Sequence, residues 1–208
     1  MSSIGQRIPE WLIVSRETES NLLELCRLVK KWTAVVNLVG KSTVEHLWER
    51  HILDSAQVFS FLPGHARTWI DLGSGAGFPG LVVAILAKEQ RPNLNVTLIE
   101  ADQRKAVFLS EAARLLDLSV TVLCARAESV APSNGDVVSA RALSSLSVLC
   151  GFAKRHVADG GVVVLPKGAN VDAEIAAAKT QWKFSFQKFN SKTEVSASIL
   201  VLKNIQDA

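Results

Sequence analysis

From Asp71 to Gly80 the sequence reads Asp-Leu-Gly-Ser-Gly-Ala-Gly-Phe-Pro-Gly. Glycines at 73, 75 and 77 free the backbone to turn tightly and to approach a ligand closely, because no Cβ stands in the way. A nucleotide-like ligand is expected. Pro79 suits the first turn of a following helix, where its missing N–H costs nothing. Glu100 stands 20 residues after Gly80, at the end of the next apolar run, where a carboxylate can accept both hydrogen bonds of a ribose diol. Two cofactors compete for this loop. The frame Gly75-x-Gly77-x-x-Gly80 matches the dinucleotide fingerprint of nicotinamide and flavin enzymes. The frame Asp71-x-Gly73-x-Gly75-x-Gly77 matches the first motif of class I methyltransferases, which use S-adenosylmethionine. Asp71 favours the second, since an acid beside the loop repels a pyrophosphate and attracts the ammonium and sulfonium of that cofactor. Ala127 and Glu128 follow the third expected strand, where class I enzymes usually contact adenine. The bland alternative is a loop that only turns the chain, and three glycines in five residues are costly for that alone.

Three further places could carry chemistry. Arg141 follows the fourth expected strand, at the carboxyl edge where open α/β sheets bind ligands, and its planar guanidinium can hold a carboxylate or stack on a base. A surface salt bridge is its alternative role. His51 and Asp54 are spaced as an acid–base dyad on a helix, yet His51 falls on the apolar stripe, which favours a buried, hydrogen-bonded imidazole. Lys167-Gly168 is either a phosphate contact or a solvated turn. The four histidines, His46, His51, His65 and His156, lack ligand spacing with the cysteines, so no metal site is expected.

These residues need elements to position them. Leu22, Leu25, Cys26, Val29 and Trp32 share one face at helical spacing, which predicts a helix over 19–32. A second helix is expected after Gly40, with Ser42 and Glu45 at capping-box spacing, ending near Pro63-Gly64. Residues 1–62 therefore read as a helical extension packed on residues 63–208. From Thr68 onward short apolar runs alternate with helical stretches. Strands are expected at 68–72, 95–100, 120–123, 137–140 and 162–165, with helices at 80–89, 103–116, 143–156 and 172–179. That alternation is the signature of a doubly wound α/β fold with a mostly parallel sheet. Segments 183–189 and 195–202 are separated by too few residues for a crossover, so they should pair antiparallel.

The chain has 208 residues, is 48% hydrophobic and 21% charged, and carries a formal net charge of +3. Such a composition supports one buried core and excludes intrinsic disorder. Residues 143–208 hold eight Lys or Arg against five acids, while the rest balances. That is too mild for a protein gripping duplex DNA by phosphates alone, so a nucleic-acid partner must be held by a local patch or by shape. No apolar run reaches membrane-spanning length, and residues 1–10 contain no apolar signal core, so a cytoplasmic, membrane-free protein is expected. Cys26, Cys124 and Cys150 lie far apart inside apolar segments and read as small buried hydrophobes.

The runs WTAVVNLVG (32–40), RHILDS (50–55), Asp71–Gly80 and SARA (139–142) together resemble the bacterial small-subunit rRNA guanine-N7 methyltransferase family, RsmG, also called GidB. The likeness covers about residues 20–204 in order. It implies a Rossmann-like class I methyltransferase fold with an N-terminal helical extension. It also implies methyl transfer from S-adenosylmethionine to N7 of guanine 527 in 16S rRNA. The modest charge favours a preformed surface of the 30S subunit over naked rRNA as substrate, and a monomer is favoured. Carried over by position, Gly73, Phe78, Ala127, Glu128 and Arg141 would contact the cofactor, with Glu100 as the ribose acid and Asp71, Gly75 and Gly77 completing the loop. Absent motifs agree: there is no Asn/Asp-Pro-Pro-Tyr/Phe segment for an exocyclic amine and no Pro-Cys nucleophile for cytosine C5. Guanine N7 needs neither, because its lone pair is exposed and already nucleophilic. The competing functions are a nicotinamide-dependent oxidoreductase and a non-catalytic rRNA-binding assembly factor that retains a pocket.

Overall fold

The computed structural model describes residues 7–208; residues 1–6, which open the expected helical extension and the segment searched for a signal core, lie outside the described residues. Helix α1 spans Arg16–Thr33 and starts at Ser15, whose hydroxyl accepts from the Thr18 amide at 3.2 Å. Its apolar stripe is buried at Leu22, Leu25, Cys26 and Val29, as the spacing predicted. The Thr18 hydroxyl and the Ser15 amide both donate to Glu89, tying the start of α1 to the end of α3 (Gly80–Gln90).

The second helix differs from expectation. No capping box forms at Ser42; the Thr43 hydroxyl instead donates back to the Gly40 carbonyl, giving a single 3-10 turn, Lys41–Thr43. Helical structure resumes as a π-helical stretch, Trp48–Leu53, continues through α2 (Asp54–Ala56) and tightens to a 3-10 turn, Gln57–Phe61. Its widened turn is visible in the Asp54 amide, which donates to the Glu49 carbonyl five residues back. Periodicity alone could not reveal this, because the turn is shaped by what His51 and Asp54 touch across the molecule.

Seven strands form one sheet: β1 (Thr68–Leu72), β2 (Asn95–Glu100), β3 (Val120–Cys124), β4 (Gly135–Ala140), β5 (Val157–Lys167), β6 (Trp182–Asn190) and β7 (Ser198–Asp207). Their spatial order is β3-β2-β1-β4-β5-β7-β6. β7 pairs antiparallel with both β5 and β6, and the other pairs are parallel. Helices α4 (Gln103–Leu115), α5 (Leu146–His156) and α6 (Val171–Ala178) complete the doubly wound arrangement. Several boundaries shift from expectation. β5 begins at Val157, α5 begins only at Leu146, β7 runs on to Asp207, and residues 195–197 belong to the β6–β7 turn, where the Ala197 amide donates to the Glu194 carbonyl.

Period-two alternation along the central strands divides their side chains between two cores. Trp69, Val96, Leu98 and Val137 face one core together with α1, the π-helical stretch, α3 and α4. Ile70, Leu72, Ile99 and Val138 face the other, against α5 and α6. The helical extension therefore buries its apolar face in the same core as the sheet. Helix α3, covered by the sheet below and the extension above, is buried along Gly80–Ala87, which is why it is apolar on every side. Cys26 and Cys150 are buried as expected, but Cys124 is exposed, because it ends the edge strand β3.

Candidate functional site

The strand order reverses between β1 and β4, and their carboxyl ends lie side by side, with Leu72 in register with Ala140. Gly73 and Arg141 are the next residues of the two strands. The loop leaves β1 with φ of 64° at Gly73, 56° at Gly75 and 87° at Gly77, values that side chains rarely tolerate. It is pinned to β2 by the Gly73 and Ser74 amides, which donate to the Ile99 carbonyl, and by the Gly75 amide, which donates to Glu100 Oε2 at 2.7 Å. The Asp102 amide donates to the other Glu100 oxygen at 2.8 Å.

A cavity of about 600 Å³ opens over this edge. Gly73, Gly75, Phe78, Glu100, Ala127, Glu128 and Arg141 line it, so seven of the nine residues singled out from the sequence come together. Gly77 and Asp71 do not. Gly77 bends the chain into α3. Asp71 corrects the reading of an acid facing a cation: it is wholly buried under the loop, where Oδ1 accepts from the Ser139 hydroxyl at 2.7 Å and Oδ2 from the Gly80 amide at 3.2 Å. A Cβ at residue 80 would stand 2.7 Å from that carboxylate, so the fourth glycine serves the packing of loop on strand.

Burial pushes the Asp71 carboxyl up to about 6, against the hydrogen bonds that favour its charge. An unfolded chain holds it near 3.8, so between these values the folded chain binds the extra proton and loses stability as pH rises. Asp71's contribution is complete below the unfolded value and is lost as pH climbs through about 6. The stability of the protein relative to Asp71→Asn should therefore fall by about 1 kcal/mol between about pH 5 and pH 7, in denaturant titrations. A difference independent of pH would mean that Asp71 is charged throughout.

Arg141 joins the extension to the site. Its Nη1 donates to Asp54 Oδ2 at 3.1 Å and to the Arg50 carbonyl at 3.0 Å, and its Nη2 donates to His51 Nδ1. The guanidinium carbon lies 5.3 Å from the centroid of Phe78, on which His51 also stacks at 5.1 Å. The ion pair exists, as the bland reading held, but both side chains are only 16% exposed, so it is not a surface contact. His51 and Asp54 make no dyad; each bonds Arg141 instead. Burial first, then the charges of Arg141 and Arg50, push the His51 imidazole down to about 3. Neutral, with Nδ1 accepting from Arg141, it carries its proton on Nε2, which has no partner among the described residues.

Sequence reasoning missed several contributors. His156 is completely buried, and its ring nitrogens bond the Ala127 carbonyl at 2.8 Å and the Ser133 hydroxyl at 3.0 Å, fastening the turn that carries Ala127 and Glu128. Leu38, Val39 and Gly40 from the extension form part of the cavity wall; nothing in the run WTAVVNLVG by itself tells of a cavity. A second cavity of about 550 Å³ shares His51, Arg141, Ala142 and Ser144 with the first. Lys167 borders it with its side chain buried in an ion pair with the half-buried Glu174, rather than in a solvated turn. Among the described residues no cluster of three metal-ligating side chains occurs, and no helix is long and apolar enough to cross a membrane.

Residues 18–200 match the family described as rRNA small subunit methyltransferase G, GidB. The Ribosomal RNA small subunit methyltransferase G of Cereibacter sphaeroides is 50% identical over 192 residues, covering 92% of this chain and 93% of that protein. The protein of the same name from a Ruegeria species is 47% identical over 195 residues, covering 94% and 95%. Among solved structures, a TehB-like SAM-dependent methyltransferase from Corynebacterium glutamicum superposes with a TM-score of 0.56 at 11% identity, covering 88% of this chain and 98% of that one, a likeness of fold.

Proposed function

Because this chain belongs to the rRNA small subunit methyltransferase G family, we infer that the first cavity binds S-adenosylmethionine and that the chain transfers its methyl group to N7 of guanine 527 in 16S rRNA. The chain is an S-adenosylmethionine-dependent 16S rRNA methyltransferase with a Rossmann-like fold. The nicotinamide and non-catalytic readings fall with that assignment. The observation that carries the cofactor assignment is the convergence of the glycine loop, Glu100, Glu128 and Arg141 on one cavity at the switch point of the sheet.

The residues present fit the group. The left-handed glycines keep the loop free of side chains on the cavity edge, and each Glu100 oxygen, already accepting one amide, retains a lone pair for a ribose hydroxyl. Ala127 and Glu128, held by His156, would meet the adenine, and Arg141 would hold the carboxylate of the amino-acid end. When bound, S-adenosylmethionine supplies an electrophilic methyl group on a sulfonium. The chain's own task is to hold the two partners in line and exclude water, an effect of proximity and orientation. Guanine N7 carries no proton to remove, so no side chain need act as a base. The net charge of +3 is small for gripping RNA by phosphates alone, which supports recognition of a preformed surface on the 30S subunit; we take the protein to act there as a cytoplasmic monomer.

His51 is the group best placed to overturn the absence of a base, and its neutrality makes the test sharp. With its imidazole held at about 3, single-turnover transfer from labelled cofactor to 30S subunits should vary little between about pH 6 and pH 8. A rate falling tenfold per pH unit below neutrality, with that limb abolished in His51→Gln, would assign His51 a base's role.

A further inference from the structure

The second cavity is built differently from the first. Its volume of about 550 Å³ lies in the range of small-molecule sites, and it meets the cofactor cavity at His51, Arg141, Ala142 and Ser144. Away from that boundary its lining is polar, with Arg50, Asp54, Thr193 and Glu194 on one side and a fixed pair, Lys167 and Glu174, on the other. Lys167 ends β5, its side chain is 8% exposed, and its Nζ donates to Glu174 Oε2 at 2.7 Å. Glu174, on α6, accepts on the same oxygen from the Leu146 amide at 3.0 Å, which caps α5. Oε1 accepts from no group among the described residues. A strand end and two helices thus hold an ammonium donor beside a carboxylate acceptor, and Lys167 has N–H groups to spare.

Guanine has the complementary order on its edge. With N7 turned toward the cofactor, the acceptor O6 comes next and the donor N1–H follows. Adenine reverses both, offering an amino group and then a bare N1. Resting on the cofactor assignment above, we propose that the second cavity receives the target guanine, with Lys167 donating to O6 and Glu174 accepting from N1–H, and that this pair sets the choice of base. Adenine in that cavity would set donor against donor and acceptor against acceptor, and sites built to hydrogen-bond a substrate reject analogues that leave their buried groups unpaired.

The test uses 30S subunits reconstituted with 16S rRNA carrying either guanine or 2-aminopurine at the target position. The latter keeps N7 and the N2 amine but lacks O6 and the N1 proton. Single-turnover efficiency is measured for the wild type, Lys167→Met and Glu174→Gln, with cofactor affinity by calorimetry. Lys167→Met should lose about 30–300-fold on guanine, while its rate on 2-aminopurine and its cofactor affinity stay within about twofold. Glu174→Gln should lose about tenfold on guanine and gain on 2-aminopurine, because the new amide can donate to the bare N1; a purely structural role gives no such gain. Either variant decides the matter if the other fails to fold. Equal losses on both bases, with selectivity unchanged, would overturn the proposal. A wild type that binds the cofactor but methylates neither subunit would remove the methyl-transfer reading, and this one with it; a wild type that binds no cofactor would remove the cofactor-site reading.

Discussion

Arg141→Met is expected to weaken S-adenosylmethionine binding by about 100-fold and to lower stability by about 3 kcal/mol at neutral pH. The two losses have different origins. Removing the guanidinium takes away the charge-assisted hydrogen bond proposed for the cofactor carboxylate, a contact of roughly 1.5–3 kcal/mol. It also strands Asp54, whose side chain is 16% exposed and whose Oδ2 is bonded to Arg141, as an uncompensated charge. The Asp54 Oδ1 oxygen already accepts from Gln57 at 2.9 Å and from Thr193 at 3.2 Å, so the stranded charge would also disturb the β6–β7 turn. A second substitution separates the effects. Adding Asp54→Asn to Arg141→Met removes the unpaired charge and should restore about 2 kcal/mol in denaturant titration, with cofactor affinity still lost. Full cofactor binding in the folded double variant would show that Arg141 is a brace for the extension and no part of the site.

Glu100→Ala should weaken the cofactor by about 10–100-fold while leaving a folded protein, as measured by calorimetry. One carboxylate fixes the loop through the Gly75 amide and the turn through the Asp102 amide, and is proposed to hold the ribose through its remaining lone pairs. Glu100→Gln keeps one accepting oxygen and should fall near the lower end of that range. Unchanged affinity in a folded Glu100→Ala protein would place the ribose elsewhere.

The site was legible where a residue type answers to one backbone need. Gly73, Gly75 and Gly77 could be read as a turning, ligand-approaching loop because positive φ is cheap only without a Cβ, and the structure has positive φ at all three. Glu100 and Arg141 were legible because they sit at strand ends, and a parallel sheet aligns those ends on one edge. What escaped depends on contacts between distant segments. Asp71 looks the same in sequence whether it faces a cation or lies under its own loop, and only the Ser139 hydroxyl and Gly80 amide around it decide. The regular helix expected after Gly40 became a π-helical stretch whose His51 and Asp54 bond Arg141, 90 and 87 residues away. Cys124 was misjudged because an apolar run on an edge strand looks like one in the sheet centre. The Lys167–Glu174 pair is only half legible in sequence: Lys167 follows a strand where a ligand contact is plausible, but its partner stands on the next helix.

Mapping the methylated nucleotide decides whether the chain has the activity inferred from its site. The purified protein is incubated with methyl-labelled S-adenosylmethionine and 30S subunits lacking the modification, and the labelled nucleotide in 16S rRNA is mapped and identified. About one methyl group per subunit is expected, carried on N7 of guanine 527. Label on another atom or another nucleotide, or none above a protein-free control, would contradict the inferred activity.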